Sequence, residues 1–401
     1  MPIAGGWLAD TVGAKRVVTI SMVLSFIANA LIPVTARTDV WLLFTMKVLD
    51  GIAQAMVYPG LYVIIGRWTP PEERGMATSA TYAGACFGFI ASSYVAAFLC
   101  SMSFNGGWPL PFYFFSCIGL VFCFFWNWFH LDNPDRNPRI SVQEKKHIQS
   151  WKQDKHQSQN PSLSWSGMLT SAPFWAFFIS YTAFQLGYFF GHSNVPMFFT
   201  TILNLNVKVT CLMVSIAYLT QMLVFIISGI VAHYLMSRGK ISILLTRKLM
   251  TFLSLFLPAV LFTIVGYFGA NPVVGTLCII GALGAYGFAG SGIETNVMDI
   301  SPNHTGLVSG IIFVVSNGTG FAGPAILGKL LETENSMNQW RIIFIIIAVV
   351  HIFGLVIFLM FGDVKQQEWD KGKSSRDQNE QITILILKKL GHFEIFSHVG
   401  L

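Results

Sequence analysis

The sequence predicts an all-α membrane protein, and three observations carry that expectation. Hydrophobic residues make up 53% of the chain and charged residues only 11%, with a mean hydropathy of +0.59. A soluble domain carries about 25% charged residues, so this chain lacks the charge to dress a water-facing surface. Ten separate segments each run to roughly twenty mostly apolar residues, the length a helix needs to cross the hydrocarbon core. Finally, of the 25 Lys and Arg residues, all but Arg37, Lys47, Lys208, Lys329 and Arg341 collect in loops on one side of such a bundle. That side is expected to face the cytosol.

In chain order the candidate spans are residues 17–36, 41–66, 76–99 and 109–129, then 173–199, 211–234, 248–267, 272–293, 306–331 and 340–361. Residues 5–17 (GGWLADTVGAKRV), with two glycines, an aspartate and a Lys-Arg pair, read as a connector between helices. A polar stretch separates the two sets of spans, and its residues 142–155 (VQEKKHIQSWKQDK) read as a solvated helix. The tail is mostly polar, and its apolar run ITILIL is too short to span. Four units follow: an incomplete N-terminal bundle (1–129), a cytosolic central loop (130–172), a six-helix bundle (173–361) and a cytosolic tail (362–401). With the central loop and tail on one side, the second set of six closes on itself. The first set of four then reads as helices 3–6, with helices 1 and 2 expected upstream and residues 1–4 as the last turn of the second.

Other classes find little support. The six cysteines lie scattered in apolar stretches with no CxxC pair, so neither a metal site nor a disulfide framework is indicated. No HExxH, GxSxG or GxxxxGK[ST] motif occurs, which argues against an enzyme and against ATP as driving force. The net charge of +6 fits a lipid bilayer better than nucleic acid. The basic part of the central loop, residues 136–155, is interrupted by Glu144 and Asp154 and holds Trp151 as its one Trp, Tyr or Phe. The 35 Phe and 11 Trp suit lipid-facing surface and interfacial belts. The sequons at Asn303 and Asn317 fall on the cytosolic side and inside a span, so glycosylation is not expected.

The connector carries Gly6-x-x-x-Asp10-x-x-Gly13-x-Lys15-Arg16, which resembles the loop between helices 2 and 3 of the major facilitator superfamily. Gly229-x-x-Ala232-His233 before Arg238 and Lys240 is a fainter echo in the second half, with His where Asp is expected. Further stretches resemble one branch, the anion:cation symporters, which holds sodium–phosphate cotransporters, sialin and vesicular glutamate transporters. They are RWTPPEERG (67–75), NPRISVQEKKHI (137–148), SGIETNVMDISP (291–302) and FGDVKQQEW (361–369). The resemblance implies a major facilitator fold, in which two helical bundles rock about a substrate site near mid-membrane.

It also implies roles for particular residues. Asp10 is expected at the N-terminus of helix 11, near Thr305, where the helix dipole and unpaired N–H groups favour an anion. Lys15, Arg16, Arg67, Glu72, Glu73 and Arg74 are expected to form an ionic latch around it, with Gly6 and Gly13 at family spacing; the alternative is an ordinary solvated turn. Asn296 and Asp299 match the junction between helices 10 and 11, where turning the chain is the first expectation. Glu294, near the inner end of helix 10, is either a gate or plainly exposed.

On the 41–66 span, Lys47, Asp50, Gly51, Gln54 and Tyr58 fall at i, i+3, i+4, i+7 and i+11, hence on one face. A buried charge in a span is costly and faces a cavity or a partner. Either Lys47 pairs with Asp50 or snorkels outward, or it meets an anionic substrate, as a family arginine does there. Gln54 occupies the place of a protonatable glutamate in vesicular members and cannot carry a proton. Sodium is therefore favoured over the proton as coupling ion, with Asp50, His192 and Glu294 the remaining proton carriers. Tyr181, Gln185, Tyr188 and His192 share a face of the 173–199 span, suited to a polar anion or its water shell; His192 alone equally suits an interhelical hydrogen bond. Phe184 stands where other members have a basic residue, and Tyr286 is expected to face the cavity. Ser316 and Asn317 suit interhelical contacts or an ion.

The expectation is a secondary active symporter of small anions, phosphate or organic carboxylates, in the plasma membrane or an endolysosomal or vesicular membrane. The alternatives are a truncated, non-transporting product and an anion channel.

Overall fold

A computed structural model describes residues 1–102, 106–129, 162–331 and 336–371, with a few isolated positions between 132 and 148. Of the expected solvated helix at 142–155 only residues 143, 144, 146 and 148 are described, all of them helical, and the tail beyond 371 lies outside the described residues. The helices are α1 (Pro2–Leu8), α2 (Ala14–Thr38), α3 (Val40–Trp68), α4 (Arg74–Cys100) and α5 (Leu110–Phe129), then short α6 (Trp165–Leu169). They continue with α7 (Ala172–Thr201), α8 (Val207–Ser237), α9 (Ile243–Phe268), α10 (Pro272–Ala285), α11 (Ile293–Ile300), α12 (Thr305–Leu331) and α13 (Met337–Phe361). Among the described residues, nine helices are long and apolar enough to cross a membrane. The expected tenth span, α7, is a continuous helix of 30 residues, about 45 Å at 1.5 Å per residue. It falls short on apolarity because Tyr181, Gln185, Tyr188, His192 and Asn194 interrupt it.

Helix starts follow local chemistry. The Asp39 carboxylate accepts from the N–H of Trp41 at 2.6 Å, Asn206 from Val209 at 2.9 Å, Ser242 from Leu245 at 3.2 Å and Asn271 from Val273 at 3.0 Å. Each satisfies an amide that the first helical turn leaves without a partner. The connector is a turn of π-helix, Ala9–Gly13, and Gly13 ends it at φ 117°, a conformation that side chains disfavour.

The 272–293 span is not one helix. Residues Tyr286–Ser291 form a 3₁₀ segment between α10 and α11. The cause is close packing of a glycine-rich stretch. A Cβ on Gly287 would lie 2.7 Å from the Gln221 carbonyl, and one on Gly290 2.6 Å from the Ser79 hydroxyl. A regular apolar helix cannot approach α8 and α4 that closely.

Two bundles result. α2 packs on α3 and α5; α9 packs on α13, and α7 on α12 and α13. The bundles meet along two seams, α1 against α12 and α4 against α8. The largest buried apolar cluster belongs mainly to the second bundle, with Phe198, Phe262, Trp340 and Phe344 at its centre. Outward positions such as Phe124, Phe125, Trp128 and Phe129 on α5 are exposed, as lipid-facing residues are.

Candidate functional site

One end of the molecule is closed by bonds that cross between bundles. The Asp10 carboxylate accepts from the N–H of Gly306 at 3.1 Å and of Leu307 at 2.8 Å, in the first turn of α12. This is the geometry that places an anion on the positive end of a helix. It needs backbone contact: a Cβ on Gly6 would sit 1.9 Å from the Gly306 carbonyl oxygen. The echo motif sits on the other seam, where a Cβ on Gly229 of α8 would lie 3.0 Å from the Ser79 Cβ on α4.

The ionic latch is not one cluster around Asp10. Arg67 does reach Asp10, donating to its backbone carbonyl at 3.2 Å. Lys15 turns instead toward α5, where its Nζ donates to the Asn127 carbonyl at 2.8 Å, and Arg16 is exposed. Glu73 stands half-buried at the start of α4. Arg74 builds a second station: its Nη1 donates to Asp299 at 3.0 Å and to the Met298 carbonyl at 2.9 Å. Arg247, from α9, donates through Nε to the other oxygen of Asp299 at 2.9 Å and through Nη2 to the Pro71 carbonyl at 3.0 Å. Both guanidinium groups and the carboxylate are buried. The separation has a simple cause: Arg74 lies one helix away from the connector and faces α11. Asp299 thus joins the two bundles, whereas Asn296 donates to the Asp363 carbonyl at 2.8 Å and ties α11 to the chain just past α13.

On α3 the polar face resolves into two parts. The Asp50 Oδ1 accepts from Ser25 at 2.6 Å, Asn29 at 2.8 Å and Gln54 at 2.8 Å. Lys47 is not its partner. The amine is exposed and lies 5.8 Å from the centre of the Phe112 ring, and no acid among the described residues pairs with it. Ser25, Asn29, Gln54, Tyr58 and Phe112 line a cavity of about 640 Å³ within the first bundle.

A second cavity, of about 290 Å³, lies between the bundles. Tyr58 borders both; Tyr181, Gln185 and Tyr188 of α7 line this one together with Tyr82, Glu294 and Asn317. Gln185 points to Asn317, 3.5 Å away. His192 sits behind the wall: its ring bonds the Tyr188 carbonyl at 2.8 Å and Gln221 at 3.1 Å and lies tilted against the Tyr188 ring, centres 4.2 Å apart. Tyr286 does not face the cavity. It is fully buried, and its hydroxyl is shared with His351 at 3.1 Å, because the 3₁₀ segment rotates it toward α13.

Glu294 is not exposed, and its bonds cross from the second bundle to the first. It is 3% exposed and accepts hydrogen bonds from the hydroxyls of Tyr62 and Tyr82, the latter at 3.0 Å. Sequence reading passed over Tyr62, Tyr82 and Arg247. Only Tyr62 carried a signal, standing four residues after Tyr58 on the same face of α3.

Two helical bundles around a mid-molecule cavity, joined at one end by bonds between them, are the architecture of a membrane transporter. The sequence pattern of the Major Facilitator Superfamily matches residues 1–324, and the chain belongs to that family. Human sialin is 29% identical, covering 92% of this chain and 73% of its own length. A human protein named as a probable small intestine urate exporter is 29% identical, with 92% and 74% covered. Mouse sodium-dependent phosphate transport protein 3 is 28% identical, with 93% and 77% covered. These relatives are membrane transporters, not enzymes. In fold, the chain is similar to the proton:xylose symporter XylE bound to 6-bromo-6-deoxy-D-glucose (TM-score 0.70, 14% identity, 92% and 85% covered). It is also similar to the human organic anion transporter MFSD10 (TM-score 0.63, 15% identity, 89% and 79% covered).

Proposed function

We propose that this chain is a secondary active transporter of small anions, inorganic phosphate or organic carboxylates, working by symport and alternating access. One observation carries the reading: Lys47 is an exposed amine on α3, a helix whose Tyr58 borders both cavities, and no acid among the described residues pairs with it. Asp50, one turn away, accepts hydrogen bonds from three neutral donors on one oxygen and makes no ion pair with the amine. Relatives named for phosphate transport and as a urate exporter support the anion class. The bonds that close one end are side-chain hydrogen bonds and ion pairs, which a rocking motion can break and remake. We place that closed end in the cytosol, because most of the basic loops lie there.

Sodium is the proposed coupling ion. Gln54, where a proton-coupled relative carries an acid, holds no exchangeable carboxyl proton, and its amide is spent on Asp50.

The test is uptake of labelled phosphate or glutamate by reconstituted vesicles. Lys47→Ala is expected to lower uptake at least tenfold and Lys47→Arg to retain most of it; equal uptake in both variants removes Lys47 from the site. Replacing sodium by potassium is expected to abolish concentrative uptake, whereas unchanged accumulation contradicts the coupling assignment.

A further inference from the structure

The cavity between the bundles has an unusual chemistry for a family branch that handles anions. Glu294 is the acid of its wall, and among the described residues no Lys, Arg or His lines it. Around that carboxylate stand aromatic rings from both bundles. Tyr58 stacks on Tyr82 with centres 6.1 Å apart, Tyr181 lies 5.7 Å from Phe313, and Phe184 lies 5.7 Å from Tyr188. The hydroxyls of Tyr62 and Tyr82 bond Glu294, and Tyr181 is directed at it as well. A carboxylate this deep is costly unless a cation balances its charge or the group takes up a proton. Among the described residues no ion pair supplies that balance.

We propose that this cavity binds the alkylammonium group of an organic cation or zwitterion, with Glu294 as counter-ion and the surrounding rings as an aromatic cage. The face of a tyrosine or phenylalanine ring carries negative quadrupole charge and attracts a cation within about 6 Å. A tetraalkylated ammonium needs no oxygen shell, so ring faces and one carboxylate suffice. An inorganic cation asks for several oxygen ligands, which a wall of Phe184, Phe313 and Tyr188 offers poorly. About 290 Å³ is room for a small solute. The Lys47 amine is eleven residues up α3 from Tyr58, about 16 Å of helix rise, so this site stands apart from the anion reading.

The experiment titrates tetramethylammonium chloride into the full chain in lipid nanodiscs by calorimetry, against sodium chloride at equal ionic strength. Saturable binding is expected in the parent protein, weakened at least tenfold in Glu294→Gln. Phe184→Leu, which keeps the carboxylate and its hydroxyl partners, is expected to weaken binding severalfold and serves if Glu294→Gln does not fold. Three results overturn the proposal. They are no saturable binding by the parent protein, equal affinity in Glu294→Gln, or Glu294-dependent binding of sodium with none of tetramethylammonium. Anion uptake by the parent protein is measured in parallel, so loss of one property with retention of the other separates this site from the anion reading.

Discussion

Single residues decide whether the closed end can form. Gly6 and Gly306 touch through backbone atoms, so Gly6→Ala must push α1 away from α12. We expect it to cost about 1–3 kcal/mol, the range for overpacking a tight contact, read as a lower melting temperature in detergent. Asp10→Asn keeps an acceptor for the amides of Gly306 and Leu307 but removes the charge, a loss of about 0.3–1 kcal/mol. Asp10→Ala removes both and is expected to cost more; an Asn variant as impaired as the Ala variant would show that charge alone matters there. Asp10 at the start of α12 was readable in the sequence because the connector's spacing resembles a family motif, and that resemblance implied the partner helix. The fate of Lys47 was not. That Asp50 is occupied depends on Ser25 and Asn29, 25 and 21 positions away, and no periodicity along α3 reports on a neighbouring helix.

At the scale of elements, hydropathy placed all ten long helical segments, since each must present apolar side chains to lipid or to the bundle core. It failed where packing, not solvent, sets the backbone. The 3₁₀ break at 286–291 arises from contacts with Gln221 and Ser79, and it is this break that turns Tyr286 inward and sets Glu294 at the cavity floor. The Asp299 station is another such case, because Arg247 looks like one more basic loop residue until α9 is folded against α11. Arg247→Ala leaves Asp299 with Arg74 alone in a buried site. Breaking a buried ion pair costs about 3–5 kcal/mol, so we expect this variant to lose thermal stability strongly, while Arg247→Lys, short of the forked geometry, restores only part. No loss in Arg247→Ala would mean that the station contributes nothing to the closed state.

For the whole molecule, the two seams make a joint prediction about motion. Ser79 of α4 and Ser291 of the second bundle place their hydroxyls 2.9 Å apart. Changing both to cysteine and oxidising is expected to fix the closed end and stop transport, and reduction is expected to restore it. Unimpaired transport in the oxidised double variant would refute the rocking model. The sequence conveyed the two-bundle plan through its two sets of spans and basic asymmetry. It could not convey which bundle supplies which wall of the cavity, since that is settled by side chains meeting across the seams.

The polarity of α7 bears on how the chain enters the bilayer. A helix carrying tyrosines, an amide and an imidazole partitions poorly on its own, so during synthesis it has reason to wait beside the translocon until α12 and α13 arrive to cover its wet flank. Membrane integration of this one segment, measured in isolation, should therefore be inefficient and should recover when the later helices are supplied.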